Sequence, residues 1–394
     1  MKKTKLTNKG IAIILALVFA FAFTACGNEA ETETEPEKAA ETQTTQTEAS
    51  DEVLATLFLG SDYQPENGWN PPSETLTSLL HAAEDDGKDI DEIIICGDYS
   101  NDRVLFDHQI SPDPAIDEIK SIVQEKCPEV TPENMIFVQG NHDRMSDQIT
   151  DSGLHEFDDY LVYVLNTETD FPWRQGKTAG AMKKVKHSAA AMRKCFDGLI
   201  AKGETRPVII VGHVPLHFTG RTSSLHTTGD NLYSSLIFDA VNEAAKDLNI
   251  TYFFGHNHSK GWDCYLGMSC VFKGAGDSIL LPEFEDTDII SDRYTVETLN
   301  FTYLNAGYLG YCMNCSPYES DAGLLDHYKA ADNTLTATVC EIYSDRIVLT
   351  RYSEDGVYQI GSAGEANPYR DDSDMIPPEY YREQVDSPQE IKRK

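Results

Sequence analysis

Five short polar clusters in this sequence each follow an apolar run and a glycine. Each apolar run has the size of a buried β-strand, and glycine permits a tight turn close to a bound ligand. Carboxylates, amide oxygens and imidazoles are the groups that bind zinc, iron and manganese in proteins. The clusters therefore indicate a metal site, and their first polar residues are Asp62, Asp98, Asn141, His213 and His256.

The number of candidate ligands suits two metal ions. Two divalent ions about 3.5–4 Å apart, sharing one carboxylate, require roughly seven protein ligands. The sequence supplies this number with Asp62, Gln64, Asp98, Asn141, His213, His256 and His258. The predicted cofactor is therefore a pair of divalent ions, either manganese, iron or zinc.

Alternating strands and helices would position these clusters. Strands are predicted at 53–59, 93–96, 135–138, 208–211 and 251–254, and helices at 73–84, 114–126, 188–202 and after Asp230. Residues 144–186 read as irregular, and strands dominate after about residue 264. The carboxyl ends of adjacent parallel strands share one rim of a sheet, so the polar clusters should converge there. The pattern predicts one α/β domain over residues 52–360, with helices outside two central sheets.

The order of the motifs resembles the calcineurin-like metallophosphoesterase family. The motifs that carry this resemblance are Gly97-Asp98, Gly140-Asn141-His142-Asp143, Gly212-His213 and Gly255-His256-Asn257-His258. The resemblance extends over residues 52–350, including Leu304-Asn305-Ala306-Gly307-Tyr308. It implies a four-layered α/β/β/α sandwich with two central mixed β-sheets and a dinuclear metal centre.

The resemblance also implies a role for each matching residue. Asp98 would bridge both ions. Asp62, His258 and the residue at position 64 would hold the first ion, and Asn141, His213 and His256 the second. His142 would lie beside the substrate phosphate as an acid, oriented by Asp143. Three further residues are candidate substrate contacts, namely His217, Arg144 and Arg221.

Two positions depart from the family pattern. Gln64 stands where the family usually has histidine, and an amide oxygen is a weaker and harder ligand than an imidazole. The first ion is therefore expected to bind loosely or to be manganese or magnesium. Asn101 stands where purple acid phosphatases have tyrosine, so an iron–tyrosinate centre is not expected.

The amino terminus predicts export and a lipid anchor. Four lysines precede an apolar run from Ile11 to Ala25, which is shorter than the roughly 20 residues of a membrane-spanning helix. The run ends in Phe23-Thr24-Ala25-Cys26, which resembles the lipobox of bacterial lipoproteins, although Phe23 departs from the usual leucine. Cys26 would carry the lipid and attach the protein to the outer face of a bacterial membrane.

The composition sets further limits. Residues 26–51 are acidic and lack an apolar period, which predicts a disordered tether, and residues 361–394 read as a loose charged tail. The formal net charge of -33 argues against a nucleic-acid-binding surface and repels phosphate substrates. Bound metal ions would offset that repulsion. Eight cysteines remain after Cys26, either as disulfides or as thiols, and Cys96 is expected in the core.

The sequence therefore predicts a metal-dependent hydrolase of phosphate mono- or diesters, whose partners are a phosphate-ester substrate and the membrane. Nucleotides, phospholipids and cell-wall polymers are alternative substrates on the same scaffold. A second alternative is a non-catalytic or weakly active lipoprotein that binds a partner or a metal, with Gln64 marking a degenerate site. The six other ligands argue against such degeneration, because a decaying site should lose more of them.

Overall fold

The computed structural model describes residues 52–64, 71–99, 111–167, 169–171, 179–217, 233–256, 272–282, 294–310, 335–358 and 387–394. Cys26, the tether, Asn101, Arg221 and His258 lie outside these residues. The described residues belong to one compact unit, residues 49–394. Among them, no helix combines the length and the apolar character that a membrane crossing requires.

The first sheet has eight strands and carries three of the polar clusters. Its strands β1 (Val53–Gly60), β2 (Glu92–Ile95) and β3 (Met135–Phe137) are parallel neighbours, with β3 at one edge of the sheet. The other five strands of this sheet are β12 (Gly307–Tyr308), β13 (Thr336–Tyr343), β14 (Arg346–Ser353), β15 (Gly356–Tyr358) and β16 (Gln389–Lys392). Strand β13 lies antiparallel to β1, so the sheet is mixed.

The second sheet has six strands and carries the histidine clusters. Its strands run in the spatial order β4 (Gly153–Glu156), β5 (Leu161–Leu165), β6 (Val208–Gly212), β7 (Ile250–Phe254), β11 (Thr302–Asn305) and β8 (Phe272–Lys273). The four strands from β5 to β11 are parallel, whereas β4 and β8 are antiparallel edges. A separate hairpin pairs β9 (Ser278–Pro282) with β10 (Tyr294–Thr298).

Three hydrophobic layers join these sheets to four helices. Helices α1 (Pro72–Asp85) and α2 (Asp113–Lys126) cover the first sheet, and α3 (Ala179–Lys202) and α4 (Ser234–Ala244) cover the second. Successive residues of β1 point to opposite faces of the sheet. Leu57 and Leu59 face the second sheet, whereas Phe58 faces the helices. The result is a four-layered α/β/β/α arrangement, as predicted.

Several element boundaries differ from the sequence prediction. The stretch 144–186, predicted as irregular, contains β4, β5 and the first residues of α3. Helix α1 begins at Pro72, one residue before the predicted start at Ser73, and has no side-chain cap. Proline fits this first turn because its missing N–H has no partner there in any case.

The end of the predicted loose tail is also ordered. Residues 389–392 form β16 along β14, and Ile391 packs against the layer between the sheets. Arg393 then donates to the carbonyls of Tyr343 and Thr205, at 2.6 and 2.7 Å. The composition of the tail does not predict these contacts, because most of them are made by one apolar residue, Ile391, and by the backbone.

Candidate metal centre

The polar clusters meet at one rim, where the carboxyl ends of the parallel strands lie. Asp62, Asp98 and Asn141 follow β1, β2 and β3, whereas His213 and His256 follow β6 and β7. All five side chains are buried, with exposures of 1% or less. The structure therefore brings together five of the seven predicted ligands from two different sheets.

The ring of His213 lies at the centre of this cluster. Its Nε2 atom lies 3.1 Å from Asp98 Oδ2, 3.0 Å from Asn141 Oδ1 and 3.3 Å from His256 Nδ1. Ligand atoms of Asp98, His213 and His256 all lie within 4.8 Å of one another. Asp62 joins the group because its Oδ2 accepts the His256 backbone N–H at 3.0 Å.

The second ring nitrogen of His213 fixes the orientation of the first. Nδ1 lies 2.7 Å from the carbonyl oxygen of Cys96, which can only accept, so Nδ1 carries a proton. Nε2 therefore faces two oxygens and a second imidazole. Such a set of atoms requires a positive charge between them, either a proton on Nε2 or a metal cation.

The pKa values of His213 and Asp98 agree with the presence of a positive charge between their side chains. Burial lowers the pKa of His213, but the Asp98 carboxylate outweighs burial and raises the pKa to about 9. Burial raises the pKa of Asp98, but His213 and His142 outweigh it and hold the pKa well below its usual range. The carboxylate is therefore an anion at neutral pH and attracts cations into the cluster.

Three of the ligand-bearing turns have a left-handed backbone. Asp62, Asp98 and His256 have φ angles of 54°, 60° and 68°, a region that non-glycine residues seldom occupy. Each such residue costs about 1–3 kcal/mol, and such strain concentrates at functional sites. The turns are also closely packed, since a Cβ atom on Gly97 would lie 2.6 Å from the backbone nitrogen of Gly140.

Asp143 accepts hydrogen bonds from the backbone around Asp98. Its Oδ2 accepts the backbone N–H groups of Asp98 and Gly140, both at 2.8 Å, and its Oδ1 accepts that of Tyr99 at 2.9 Å. Burial and the charge of Asp98 raise the pKa of Asp143 to about 7. The carboxylate therefore braces the Asp98 turn. The prediction that it also orients His142 stays a prediction.

His142 is more accessible than the ligands. Its side chain is 26% exposed, and its Nε2 lies 3.9 Å from Asp98 Oδ2. Its backbone N–H donates to Asp98 Oδ1 at 2.8 Å, which fixes the residue at the edge of the cluster. A residue in this position can contact both solvent and a bound substrate. The role of His142 as an acid stays a prediction.

Gln64 lies fully buried just after Asp62 and behaves unlike an ordinary core residue. Neither its side-chain oxygen nor its nitrogen has a hydrogen-bond partner among the described residues. The side-chain nitrogen of Asn141 likewise has none there. Buried amides normally have partners. The amide oxygens of these two residues, with the carboxylates and imidazoles beside them, fit a site that holds divalent cations.

Two further candidates, His217 and Arg144, lie within the described residues. His217 is fully buried, and its Nδ1 lies 2.8 Å from the Tyr303 hydroxyl oxygen. Arg144 is exposed beside His142 and Asp143. Their substrate contacts stay predictions. Cys96 lies in the core as expected, and four thiols are free within the described part of the chain, namely Cys96, Cys127, Cys195 and Cys340.

The sequence analysis missed Asn166, which follows β5. Its Oδ1 accepts the backbone N–H of Gln139 at 2.8 Å, and its Nδ2 donates to Thr150 O and Ser152 Oγ at 2.8 and 3.1 Å. It thus joins the end of β5 to the turn that carries Asn141. The same signal was present, because Asn166 also follows an apolar run directly.

The chain resembles known proteins in part of its sequence and in its fold. Residues 69–260 match the sequence profile described as calcineurin-like phosphoesterase. No curated protein matches the chain significantly. A dimetal phosphatase from Danio rerio is 11% identical with a TM-score of 0.44, and the match covers 79% of this chain and 99% of that one. A purple acid phosphatase from yellow lupin (Lupinus luteus) seeds is 10% identical with a TM-score of 0.41, over 77% of this chain and 52% of that one.

The profile match includes Asp98, Asn141, His213 and His256, which are the residues that the structure brings together. The family depends on divalent metals and hydrolyses phosphoesters. Residues 69–260 are therefore similar to the calcineurin-like phosphoesterase family.

Proposed function

We propose that this protein hydrolyses phosphate mono- or diesters with a dinuclear metal centre on the outer face of a bacterial membrane. The observation that carries the proposal is the convergence of Asp98, Asn141, His213 and His256 at one rim of two sheets. In this proposal Asp98 lies between the ions. Asn141, His213 and His256 would hold one ion, and Asp62, Gln64 and His258 would hold the other.

The bound ions would polarise the phosphoryl oxygens and lower the pKa of water toward neutrality. The residues of the chain perform the remaining tasks. His142 stands at the accessible edge of the cluster, where its imidazole donates a proton to the leaving oxygen. Arg144 lies exposed on the same turn and offers a guanidinium to the phosphate. Asp143 holds the backbone that places Asp98.

The excess of acidic residues makes positive charge at the site necessary. The chain has a formal charge of -33, so a phosphate ester approaching it is repelled. Two divalent ions at the rim would reverse the sign of the local field. The same charge distribution disfavours nucleic-acid polymers as substrates, because their many phosphates would meet the acidic surface outside the site.

Metal-dependent hydrolysis of two chromogenic esters tests the proposal. After chelation, activity toward p-nitrophenyl phosphate and bis(p-nitrophenyl) phosphate should disappear and return with Mn²⁺ or Zn²⁺. His213→Gln should abolish the restored activity, whereas His81→Gln should not, since His81 is exposed on α1. Metal binding by the wild type without hydrolysis of either ester would favour the degenerate lipoprotein with a metal-binding role, for which the buried amide of Gln64 is the supporting observation.

The location is a separate part of the proposal and rests on the amino-terminal segment that ends at Cys26. Cys26→Ser should move the protein from the membrane fraction to the soluble extracytoplasmic fraction of a bacterial host, with unchanged activity toward the chromogenic esters. Membrane retention of this variant would contradict a lipid anchor at Cys26 and would leave the proposed chemistry unaffected.

A further inference from the structure

A tyrosine hydroxyl lies buried beneath the loop that follows β6. Tyr303 belongs to β11 and is 0% exposed. Its hydroxyl oxygen accepts the backbone N–H of Leu216 at 2.8 Å and that of His217 at 3.4 Å. It also lies 2.8 Å from Nδ1 of the His217 ring. One hydroxyl thus contacts the loop at three points, three and four residues after His213.

The capacity of a hydroxyl fixes the direction of each bond. A hydroxyl accepts two hydrogen bonds and donates one. The two backbone N–H groups occupy both lone pairs of Tyr303, so its proton points to Nδ1 of His217. The imidazole therefore accepts at Nδ1, and every hydrogen-bonding capacity of the hydroxyl is used. Removing the hydroxyl would leave three buried polar groups of the loop without this partner.

The ring of Tyr303 also supports the second histidine turn. It stacks on Phe254, with centroids 4.6 Å apart and planes inclined by 23°. Phe254 is the last residue of β7 and precedes Gly255 and His256. The His217 ring packs edge-on against both aromatic rings, at 5.3 and 5.8 Å. A single side chain thus touches the segments that present His213 and His256.

We propose that Tyr303 is a positioning residue for the metal site, acting on His213 through the hydroxyl–loop contacts and on His256 through Phe254. The inference rests on the proposed function, because it assumes that His213 and His256 bind a metal ion. Residues that orient metal ligands typically contribute 10–100-fold to metal affinity. Tyr303→Phe keeps the stacked ring and deletes only the hydroxyl, so it isolates the loop contacts.

The chain offers a matched control in Tyr252. This residue is 0% exposed, belongs to the same aromatic cluster and lies 5.6 Å from Tyr303 between ring centroids. Its hydroxyl has no hydrogen-bond partner among the described residues. Tyr252→Phe therefore makes the same chemical change in the same surroundings without removing a contact to the loop.

The experiment is a titration of Mn²⁺ into metal-free protein by calorimetry, with visible absorption spectra at saturating Co²⁺. Tyr303→Phe should bind Mn²⁺ about 10–100-fold more weakly and should alter the Co²⁺ spectrum, whereas Tyr252→Phe should match the wild type. Unchanged affinity and spectrum in Tyr303→Phe, even with a lower melting temperature, would overturn the inference and indicate a structural role only. Failure of the wild type to bind Mn²⁺ or Co²⁺ would instead overturn the proposed function.

A second pair of variants applies if Tyr303→Phe does not fold. His217→Asn retains an acceptor for the Tyr303 proton, whereas His217→Leu does not. Weaker Mn²⁺ binding in the leucine variant than in the asparagine variant would support the positioning role. Equal affinities in the two folded variants would overturn it.

Discussion

Replacing Asn166 by aspartate changes one amide into a carboxylate where the two sheets meet. The variant keeps an acceptor for the Gln139 N–H, which lies 2.8 Å from Oδ1. It loses both N–H donors, which bind Thr150 O and Ser152 Oγ at 2.8 and 3.1 Å. It also places a charge beside Asp170, whose Oδ2 accepts the Asn166 backbone N–H at 2.9 Å.

The free energy of unfolding should fall by several kcal/mol. Each lost hydrogen bond contributes about 0.5–1.5 kcal/mol. The oxygen that replaces Nδ2 then faces the Thr150 carbonyl, and a buried acceptor without a donor adds about 1–3 kcal/mol even before its charge is counted. A total of about 2–6 kcal/mol corresponds to a melting temperature lower by roughly 3–8 °C in a domain of this size.

Urea unfolding followed by circular dichroism measures this loss, and Mn²⁺ titration measures its effect on the site. Because Gln139 keeps its acceptor, Mn²⁺ affinity of Asn166→Asp should stay within about threefold of the wild type, whereas Asn166→Ala should weaken it further. The control is Asn134→Asp, since the Asn134 amide makes one exposed bond, of 3.2 Å, to Asp91 O. Equal stability of Asn166→Asp and Asn134→Asp would refute the role of Asn166 as a link between the sheets.

Three further predictions concern Glu92 in β2, Gln64 at the candidate metal centre and His142 at its accessible edge. Burial raises the pKa of Glu92 in β2 from 4.5 to about 8, so its contribution to stability is complete below about pH 4.5 and is lost as pH rises through 8. Glu92→Gln should flatten the fall in melting temperature across this range, and an unchanged slope would contradict the assignment. Gln64→His should tighten the weaker metal site and shift its preference toward zinc, whereas Gln64→Ala should weaken it. Equal affinities in the wild type and both variants would mean that residue 64 is not a ligand. His142→Ala should keep metal binding and lower hydrolysis by about 10²–10⁴-fold, most for esters with poor leaving groups. An equal loss for good and poor leaving groups would indicate that His142 positions the phosphate instead.

The position of the site was readable from the sequence because the strands obey a simple geometric rule. Parallel strands end at the same rim, so the residues after β1, β2, β3, β6 and β7 had to lie close together. The apolar runs located those strand ends to within one or two residues. The rule also applied to β5. Because the apolar run of β5 lies in the stretch that was predicted as irregular, Asn166 at its end was not predicted.

The direction of individual side chains was harder to predict. Asp143 follows His142 in sequence, yet the turn directs its carboxylate toward three backbone N–H groups. The left-handed conformations of Asp62, Asp98 and His256 determine such directions, and local sequence preferences disfavour them. The bonds between Tyr303 and the loop after β6 join residues 86 and 87 positions apart, beyond any local pattern.

The number of metal ions bound per chain tests the central claim most directly. Protein dialysed against Mn²⁺ and analysed by mass spectrometry for metals should contain two ions per wild-type chain. Asp98→Asn should lose most of this metal while its circular dichroism stays unchanged, because Asp98 is the buried carboxylate expected between the ions. Asp247→Asn, the same change at an exposed position, should retain both ions. Full metal content and full hydrolytic activity in Asp98→Asn would contradict the proposed centre.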